Sequence, residues 1–372
     1  MSQRENVNPI REQNHRKNSR RYQKRAAARR RRNTIFIMEI VLLLILAVVL
    51  FFVSKLSKIE KTKLDMDKIE VNEDISQESR KIMKGYQTIA MFGLDNRSNG
   101  NLSQGRSDVI MLANINNDTK EVKLVSVYRD TYLDTGDGIF QKCNAAYAKG
   151  GPEQAISMLN VNLDLNITDY VTVDFNSITE CVDLLGGVDM EITDDEASLM
   201  TGYIREVNEL TGNKAENLTQ GGTYTLNGVQ ACAYARIRYG GGDDYRRTER
   251  QRTVLTAMVK KAQQSDLTTV NKLINEVCGD IQTSFSNAEL LALASQVFQY
   301  SIGDTTGFPF TKTTKVLSKK TGDVVIPCDL SDNVKELHIF LYEDSAYTAS
   351  DTVKQNSEKI VSDTGFKSGD GH

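Results

Sequence analysis

The chain of 372 residues has few histidines and few cysteines: His15, His338 and His372, and Cys143, Cys181, Cys232, Cys278 and Cys328, with no CxxC pair. Structural zinc sites draw on closely spaced Cys and His ligands, so that class is excluded. A Ser-His-Asp catalyst needs a well-placed histidine, and the chain has none to offer. An odd number of cysteines does not make a disulfide framework. Cys143 and Cys181 beside apolar helical positions, and Cys232 in an apolar run read as a strand, are expected to be small buried hydrophobes. A Cys278–Cys328 pair is left open. There is no internal repeat, and the basic N-terminal tail shows no helix-turn-helix pattern.

Charge is present but unevenly spread. The formal net charge is -3, yet residues 1–33 carry twelve Lys and Arg against two Glu. Everything after them holds 34 basic and 47 acidic residues. Between the two lies "TIFIMEIVLLLILAVVLFFV", Thr34 to Val53, with Glu39 as its single charge. About 20 apolar residues cross a bilayer core as a helix. A cleaved signal peptide would have a run of about 7–15 residues and a small-residue cleavage site. This run is longer and lacks an A-x-A pattern, so it reads as an uncleaved anchor. Lys and Arg accumulate on the cytoplasmic side, which puts the basic tail inside and the acidic bulk outside. The tail's charge is explained by topogenesis and anionic lipid, and no nucleic-acid partner is expected.

The chain therefore divides into a cytoplasmic basic tail (1–33), a transmembrane helix (34–53), a charged stalk (54–85), an extracellular folded domain (86–342) and a polar tail expected to be disordered (343–372). Within the domain, "YQTIAMFGLD", "SDVIMLANIN" and "EVKLVSVYRD" read as strands, the last two joined as a hairpin. "NAAYAKGGPEQAISMLNVNL" reads as a helix interrupted at Gly150, Gly151 and Pro152. "DYVTVDF" and "VDMEI" read as strands. "NSITECVDLLGG" is a helix with Asn176 as N-cap and Gly186 as its stop. "RRTERQRTVLTAMVKKAQQ" is a clear helix, and "TVNKLINEVCGDI", "SNAELLALASQVFQYSI" and "SDNVKELHIFLYED" are further ones. Strands alternating with helices imply an α/β fold, with α-β-α layers around one sheet.

One stretch, "ARIRYGGGDDYRRTERQR" (235–252), concentrates six arginines in an acidic surrounding. Arg236 and Arg238, two apart in a strand-like run, are expected on one face. Arg247, Gln251, Val254 and Met258 follow at i, i+4, i+7 and i+11, one helical stripe directed at the core. Cations in the first turn of a helix meet its positive end at a cost of about 0.3–1 kcal/mol each. Asp243, Asp244 and Glu249 offset part of this. A bound anion would offset the rest, and planar guanidinium groups suit phosphate oxygens. Arg246, Arg250 and Arg252 read as an ordinary solvated face. Asp95, Arg106, Asp108, Arg129 and Asp130 all fall at strand termini, where functional groups gather in layered α/β folds. Asp95 and Asp108 beside a phosphate site resemble a hard-cation site, since magnesium takes one or two carboxylates plus phosphate oxygens.

The ordered series GLDNR, RSD, YRDT, KCNAAYAKGG, DYVTVDF, VDLLGGVDM, YARIRY and DDYRRTERQ resembles the LytR-CpsA-Psr family of cell-envelope proteins, over roughly 88–262. The resemblance implies an α-β-α domain with a mixed central sheet and a hydrophobic tunnel. It implies a phosphotransferase that moves a glycopolymer, such as wall teichoic acid or capsule, from a polyprenyl-pyrophosphate carrier to a peptidoglycan hydroxyl. Carried over by motif, Asp95 and Asp108 would hold Mg²⁺ (or Mn²⁺). Arg129, Arg236, Arg238 and Arg247 would grip the pyrophosphate, supported by Gln251 and Arg106, with Arg97 a looser match. Apolar helices at Ala145–Leu159 and Ile178–Leu185 would line the lipid channel or serve as plain core. Cys143, Cys181 and Cys232 stand at positions usually apolar or small. Tyr128 departs from the pattern, where proline is common. The general base is left open among Asp95, Asp130 and a metal-bound water. A pyrophosphatase activity, a non-catalytic lipid-pyrophosphate carrier and a membrane-bound transcriptional regulator stay open as alternatives.

The orientation has a direct check. An alkaline phosphatase reporter fused after residue 85 should be active in cells, and one fused within residues 1–33 inactive; the reverse pattern contradicts the topology.

Overall fold

The computed structural model describes residues 60–61, 64–94, 102, 105–238, 244–266, 269, 272–273 and 281–371. The basic tail, the membrane helix expected over 34–53, Asp95, Arg97 and Cys278 lie outside these residues. Among the described residues no helix is long and apolar enough to cross a membrane.

Alternating apolar residues build the central sheet, because successive side chains of a strand face opposite sides. Its strands are β1 (Glu60–Lys61), β2 (Tyr86–Leu94), β3 (Ser107–Asn116), β4 (Glu121–Val127), β7 (Asp169–Asp174), β10 (Ile281–Thr283) and β11 (Ser301–Phe308), in the order β1-β10-β7-β2-β3-β4-β11. The sheet is mixed, as expected: β2, β3 and β4 form an antiparallel meander, while β7 and β11 run parallel to β2 and β4. Small hairpins are made by β5 (Tyr132–Asp134) with β6 (Phe140–Lys142), β8 (Val188–Ile192) with β9 (Gly222–Leu226), and β12 (Lys312–Ser318) with β13 (Gly322–Pro327). The helix expected over 286–302 ends at Ser295, and Ser301 already enters β11.

The helices are α1 (Gln77–Met83), α2 (Ala145–Leu163), α3 (Phe175–Leu184), α4 (Asp194–Thr211), α5 (Gly228–Arg236), α6 (Asp244–Gln264), α7 (Asn287–Ser295), α8 (Leu330–Tyr342) and α9 (Asp351–Thr364). Ala90, Phe92, Leu94, Ile110, Leu112, Val125 and Val127 share one core with apolar residues of α2, α8 and α9. Ile89, Met91, Val109, Met111 and Leu124, from the other face, pack with Leu255 of α6 and Leu290 and Leu293 of α7. A further core joins α3, α4, α5, β8 and β9 around Val182, Met200, Ile204 and Leu226. The break in α2 is where the sequence placed it: Gly150 and Gly151 have non-helical backbone ahead of Pro152. α3 is capped by Asp174, which accepts from the Ser177 amide, rather than by Asn176. At Gly228 a Cβ would stand 2.1 Å from the Thr179 carbonyl oxygen, so only glycine lets α5 lie this close to α3.

Two boundaries differ from the sequence reading. From Leu64 onward the expected stalk is part of the fold: Ile69 and Ile75 are buried, and Asn72 donates to the Val161 carbonyl and to Asp164 Oδ1. The tail expected to be disordered forms α9, with Val353 and Ile360 fully buried. The two meet at Asp164, a buried carboxylate just past α2. It accepts from Asn72, from the Ser350 amide at 2.8 Å and from the Tyr347 hydroxyl. Burial and the Asp164 charge push the Tyr347 phenol far above its usual range, so it stays a donor. His338 stacks on Tyr347 with ring centroids 3.8 Å apart.

Removing one partner of a buried hydrogen bond costs about 1–3 kcal/mol. Tyr347→Phe should therefore lower the melting temperature by several degrees, and deletion of residues 343–372 should abolish cooperative unfolding. A truncated chain that melts like the full one contradicts the assignment of this tail to the core.

Candidate functional site

Charged groups from β3, β4, α4, α5 and α6 converge at one end of the sheet's strands. Asp108 lies on β3 and Arg129 follows the end of β4; Arg129 Nη1 donates to Asp108 Oδ1 at 2.8 Å. Asp244, in the first turn of α6, stands among three guanidinium groups, with Arg247 Nη1 at 3.3 Å, Arg238 Nη2 at 3.4 Å and Arg129 Nε at 3.9 Å. Arg236 Nη2 donates to Glu206 of α4 at 2.8 Å, and its guanidinium lies 4.5 Å from the Phe175 ring centroid. Arg129, Arg236, Arg238 and Arg247 line a cavity of about 340 Å³ together with Asp108, Glu206, Tyr203, Phe175, Val109 and Gln251.

The hydrogen-bonding capacity of the cavity wall is incompletely used. Arg129 Nε, Arg236 Nη1, Arg247 Nε and Gln251 Oε1 are buried with no hydrogen-bond partner among the described residues. Buried polar groups are normally paired, and several orphaned guanidinium donors around one cavity mark a place for an anion. Burial pulls the Arg247 guanidinium down to about 10; Asp244 opposes that shift, and the like charges of Arg129 and Arg238 add to it. A neighbouring anion favours the charged guanidinium and would oppose both effects.

A second cavity, of about 260 Å³, opens beside the first. It lies between the sheet, at Met91, Gly93, Met111 and Val171, and α3, α5 and α6, at Ile178, Cys232, Val254 and Met258. Its walls are almost wholly apolar. Val109, Phe175 and Gln251 line both cavities, so the charged space and the apolar space adjoin. The sequence stripe on α6 supplies the join: Arg247 faces the charged space, Gln251 both, and Val254 and Met258 the apolar one.

Arg129, Arg236, Arg238, Arg247, Gln251 and Asp108 are thus brought together. Arg106 is exposed and does not line the cavity. Asp95 lies outside the described residues. Arg236 is the last residue of α5 and Arg238 follows it, so they are not on a strand. Cys232 is likewise on α5, buried as expected. Cys143 is also buried, Cys181 is partly exposed, and Cys328 is a buried free thiol, while Cys278 lies outside the described residues. Arg246 is exposed, but Arg250 and Arg252 are buried. Arg250 Nε donates to Glu196 of α4 at 3.0 Å, because α6 is covered on more than its core stripe. Ile178 lines the apolar cavity, whereas Ala146, Ala155, Ile156 and Leu159 of α2 are core beneath the opposite sheet face. Asp130 is held by Lys142 at 3.2 Å and does not line the charged cavity. Tyr203 and Glu206 were not anticipated. They sit at i and i+3 on α4, a spacing that shares a helix face, in a segment whose general polarity hides it.

Comparisons with known proteins agree with this architecture. The chain is 30% identical over 210 residues to the polyisoprenyl-teichoic acid–peptidoglycan teichoic acid transferase TagU of Enterococcus faecalis, covering 56% of this chain and 64% of that protein. It spans about half to two thirds of the length of the curated relatives it matches. Among solved structures, TagT bound to LI-WTA superposes with a TM-score of 0.56 at 22% identity, over 75% of this chain and 99% of that one. The LytR-CPS2A-psr family protein YwtF (TagT) with bound octaprenyl pyrophosphate lipid gives a TM-score of 0.50 at 22% identity, over 70% of this chain and 92% of that one. These likenesses establish a shared fold. The model of the LytR_cpsA_psr family matches residues 46–315, and the chain belongs to that family.

Proposed function

We propose that the protein transfers a glycopolymer from a polyprenyl-pyrophosphate carrier to a hydroxyl of peptidoglycan, as a membrane-tethered enzyme of the bacterial envelope with its catalytic domain outside. One observation carries this reading. Orphaned guanidinium donors surround a charged cavity that adjoins an apolar one, so the site suits a ligand that is dianionic at one point and greasy next to it. A prenyl pyrophosphate is such a ligand. A neighbour in fold holds octaprenyl pyrophosphate, and a relative is named as a teichoic acid transferase. The apolar run at 34–53 supports the tether.

Each group has a part. The prenyl chain lies along Met91, Met111, Val254 and Met258, and Val109, Phe175 and Gln251 mark the point where the chain gives way to phosphate. Arg129, Arg236 and Arg247 donate to phosphate oxygens through the nitrogens that now lack partners, and Arg238 adds charge at the rim. The acceptor oxygen attacks the phosphorus that bears the glycan. A new P–O bond forms, the P–O bond to the bridging oxygen breaks, and prenyl phosphate departs with the electron pair. The acceptor proton goes to a base that stays open. Phosphoryl transfer of this kind depends on positioning and charge neutralisation more than on covalent help. Fixed guanidinium groups in a desolvated site supply both.

Asp108 fits a divalent-cation role. It lines the charged cavity, and Arg129 takes only part of its accepting capacity, since a carboxylate offers about four lone-pair sites. Asp95 would be its partner. A bound Mg²⁺ or Mn²⁺ would neutralise charge on the phosphate oxygens.

Transfer by the full-length protein in membranes, supplied with lipid-linked donor and wall acceptor, should fall by about 10²-fold or more in Arg236→Ala and in Asp108→Ala. Both variants should keep the wild-type circular dichroism. Transfer unchanged in both overturns the reading, and tight prenyl-pyrophosphate binding without any turnover in the wild type points to a carrier instead.

A further inference from the structure

We infer that Tyr128 and Tyr245 form an aromatic clamp that positions the arginine cluster, with Lys312 closing it; this rests on the transferase reading above. Tyr128 precedes Arg129, and Tyr245 follows Asp244. The two rings meet edge to face with centroids 4.6 Å apart. Next to them, Arg129 Nε and Asp244 Oδ2 stand 3.9 Å apart. Two adjacent residue pairs thus bridge the end of β4 and the first turn of α6, one through rings and one through charge. The charged pair is long and gives no hydrogen bond, so it cannot set the register alone. The rings can, because edge-to-face contact is directional and short-ranged.

The surroundings hold both rings in place. Lys312 of β12 places its amine 4.8 Å from the Tyr245 ring centroid and 5.4 Å from that of Tyr128, while donating to the Phe310 carbonyl at 3.2 Å. A cation over two ring faces ties β12 to both partners. On the far side, a Cβ at Gly307 of β11 would stand 2.1 Å from the Tyr128 hydroxyl oxygen, so β11 keeps the space that the phenol fills. The backbone of Tyr128 is fixed as well: its amide donates to the Phe308 carbonyl at 3.0 Å, and its carbonyl accepts from Thr131. The clamp therefore transmits a rigid sheet end to α6, whose first turn ends at Arg247 and whose second carries Gln251. Neither tyrosine lines the charged cavity, which makes them positioning residues rather than catalytic ones.

The test uses the full-length protein in detergent micelles with geranylgeranyl pyrophosphate as the binding probe, lipid-linked donor and wall acceptor for turnover, and hydrogen exchange of the Thr248–Gln251 amides, the first that donate to carbonyls of α6. Tyr128→Phe keeps the ring and should stay within about two-fold of wild type in turnover, given that only the hydroxyl is lost. Tyr128→Ala and Tyr245→Ala should each lower turnover on the order of 10²-fold, the cost of a misplaced catalytic group. Probe affinity should change far less, and exchange in the second turn of α6 should quicken. The double variant should be no worse than either single one, because both remove the same contact. Alanine variants that fold and keep wild-type turnover and exchange overturn the clamp, as does a Phe variant as impaired as the Ala one. Failure of the wild type to bind the probe would count against the transferase reading, and the exchange data then decide the clamp by themselves.

Discussion

The arrangement at the strand ends turns on one constraint: buried guanidinium nitrogens are left without hydrogen bonds although carboxylates stand close by. Asp108, Asp244 and Glu206 engage parts of Arg129, Arg236, Arg238 and Arg247, yet a nitrogen on each of Arg129, Arg236 and Arg247 is left buried without a hydrogen bond. Burial holds the Arg247 guanidinium below its usual range despite Asp244, whereas Arg129, also desolvated but facing Asp108, Asp130 and Asp244, is held above it. The fold tolerates this burial because the cluster sits at the junction of several well-packed elements, with apolar cores beneath both sheet faces.

The apolar cavity is built in part from the same helix that carries Arg247. α6 turns Arg247 toward charge, and Val254 and Met258, two and three turns further on, toward an apolar cavity. The face of β2, β3 and β7 opposite the α2 core forms the other wall. A sheet buried on both sides would normally be filled by side chains on both sides. Here one side gives up part of its packing to leave a space of about 260 Å³. Family membership, the charged cavity and the apolar cavity all bear on one class of ligand.

Much of this was legible from the chain. The stripe Arg247, Gln251, Val254 and Met258 has unambiguous helical spacing, and an arginine on such a stripe stands out. The strands 86–94, 107–116 and 121–127 followed from apolar, Val- and Ile-rich runs bounded by turn residues. Arg236 was misread as strand because Tyr234, Ile237 and Tyr239 favour β structure, although Asn227 and Gln230 make a capping box that announces a helix. The tail after 342 looked disordered because its buried positions include Ser357 and Thr364, small polar residues that mask the helical spacing of Val353 and Ile360. Arg250 and Arg252 looked solvated because nothing in their neighbourhood shows that α4 and the sheet cover them. The contributions of Tyr203 and Glu206 depend on the path of α4 across the cavity, which only tertiary packing sets.

The most direct measurement of the central claim is mass spectrometry of lipid carried through purification by the protein. A prenyl pyrophosphate, with or without sugar, retained by the wild type and lost on Arg247→Ala is the predicted result. Protein that carries only ordinary phospholipid, or that retains the same lipid after Arg247→Ala, contradicts the account.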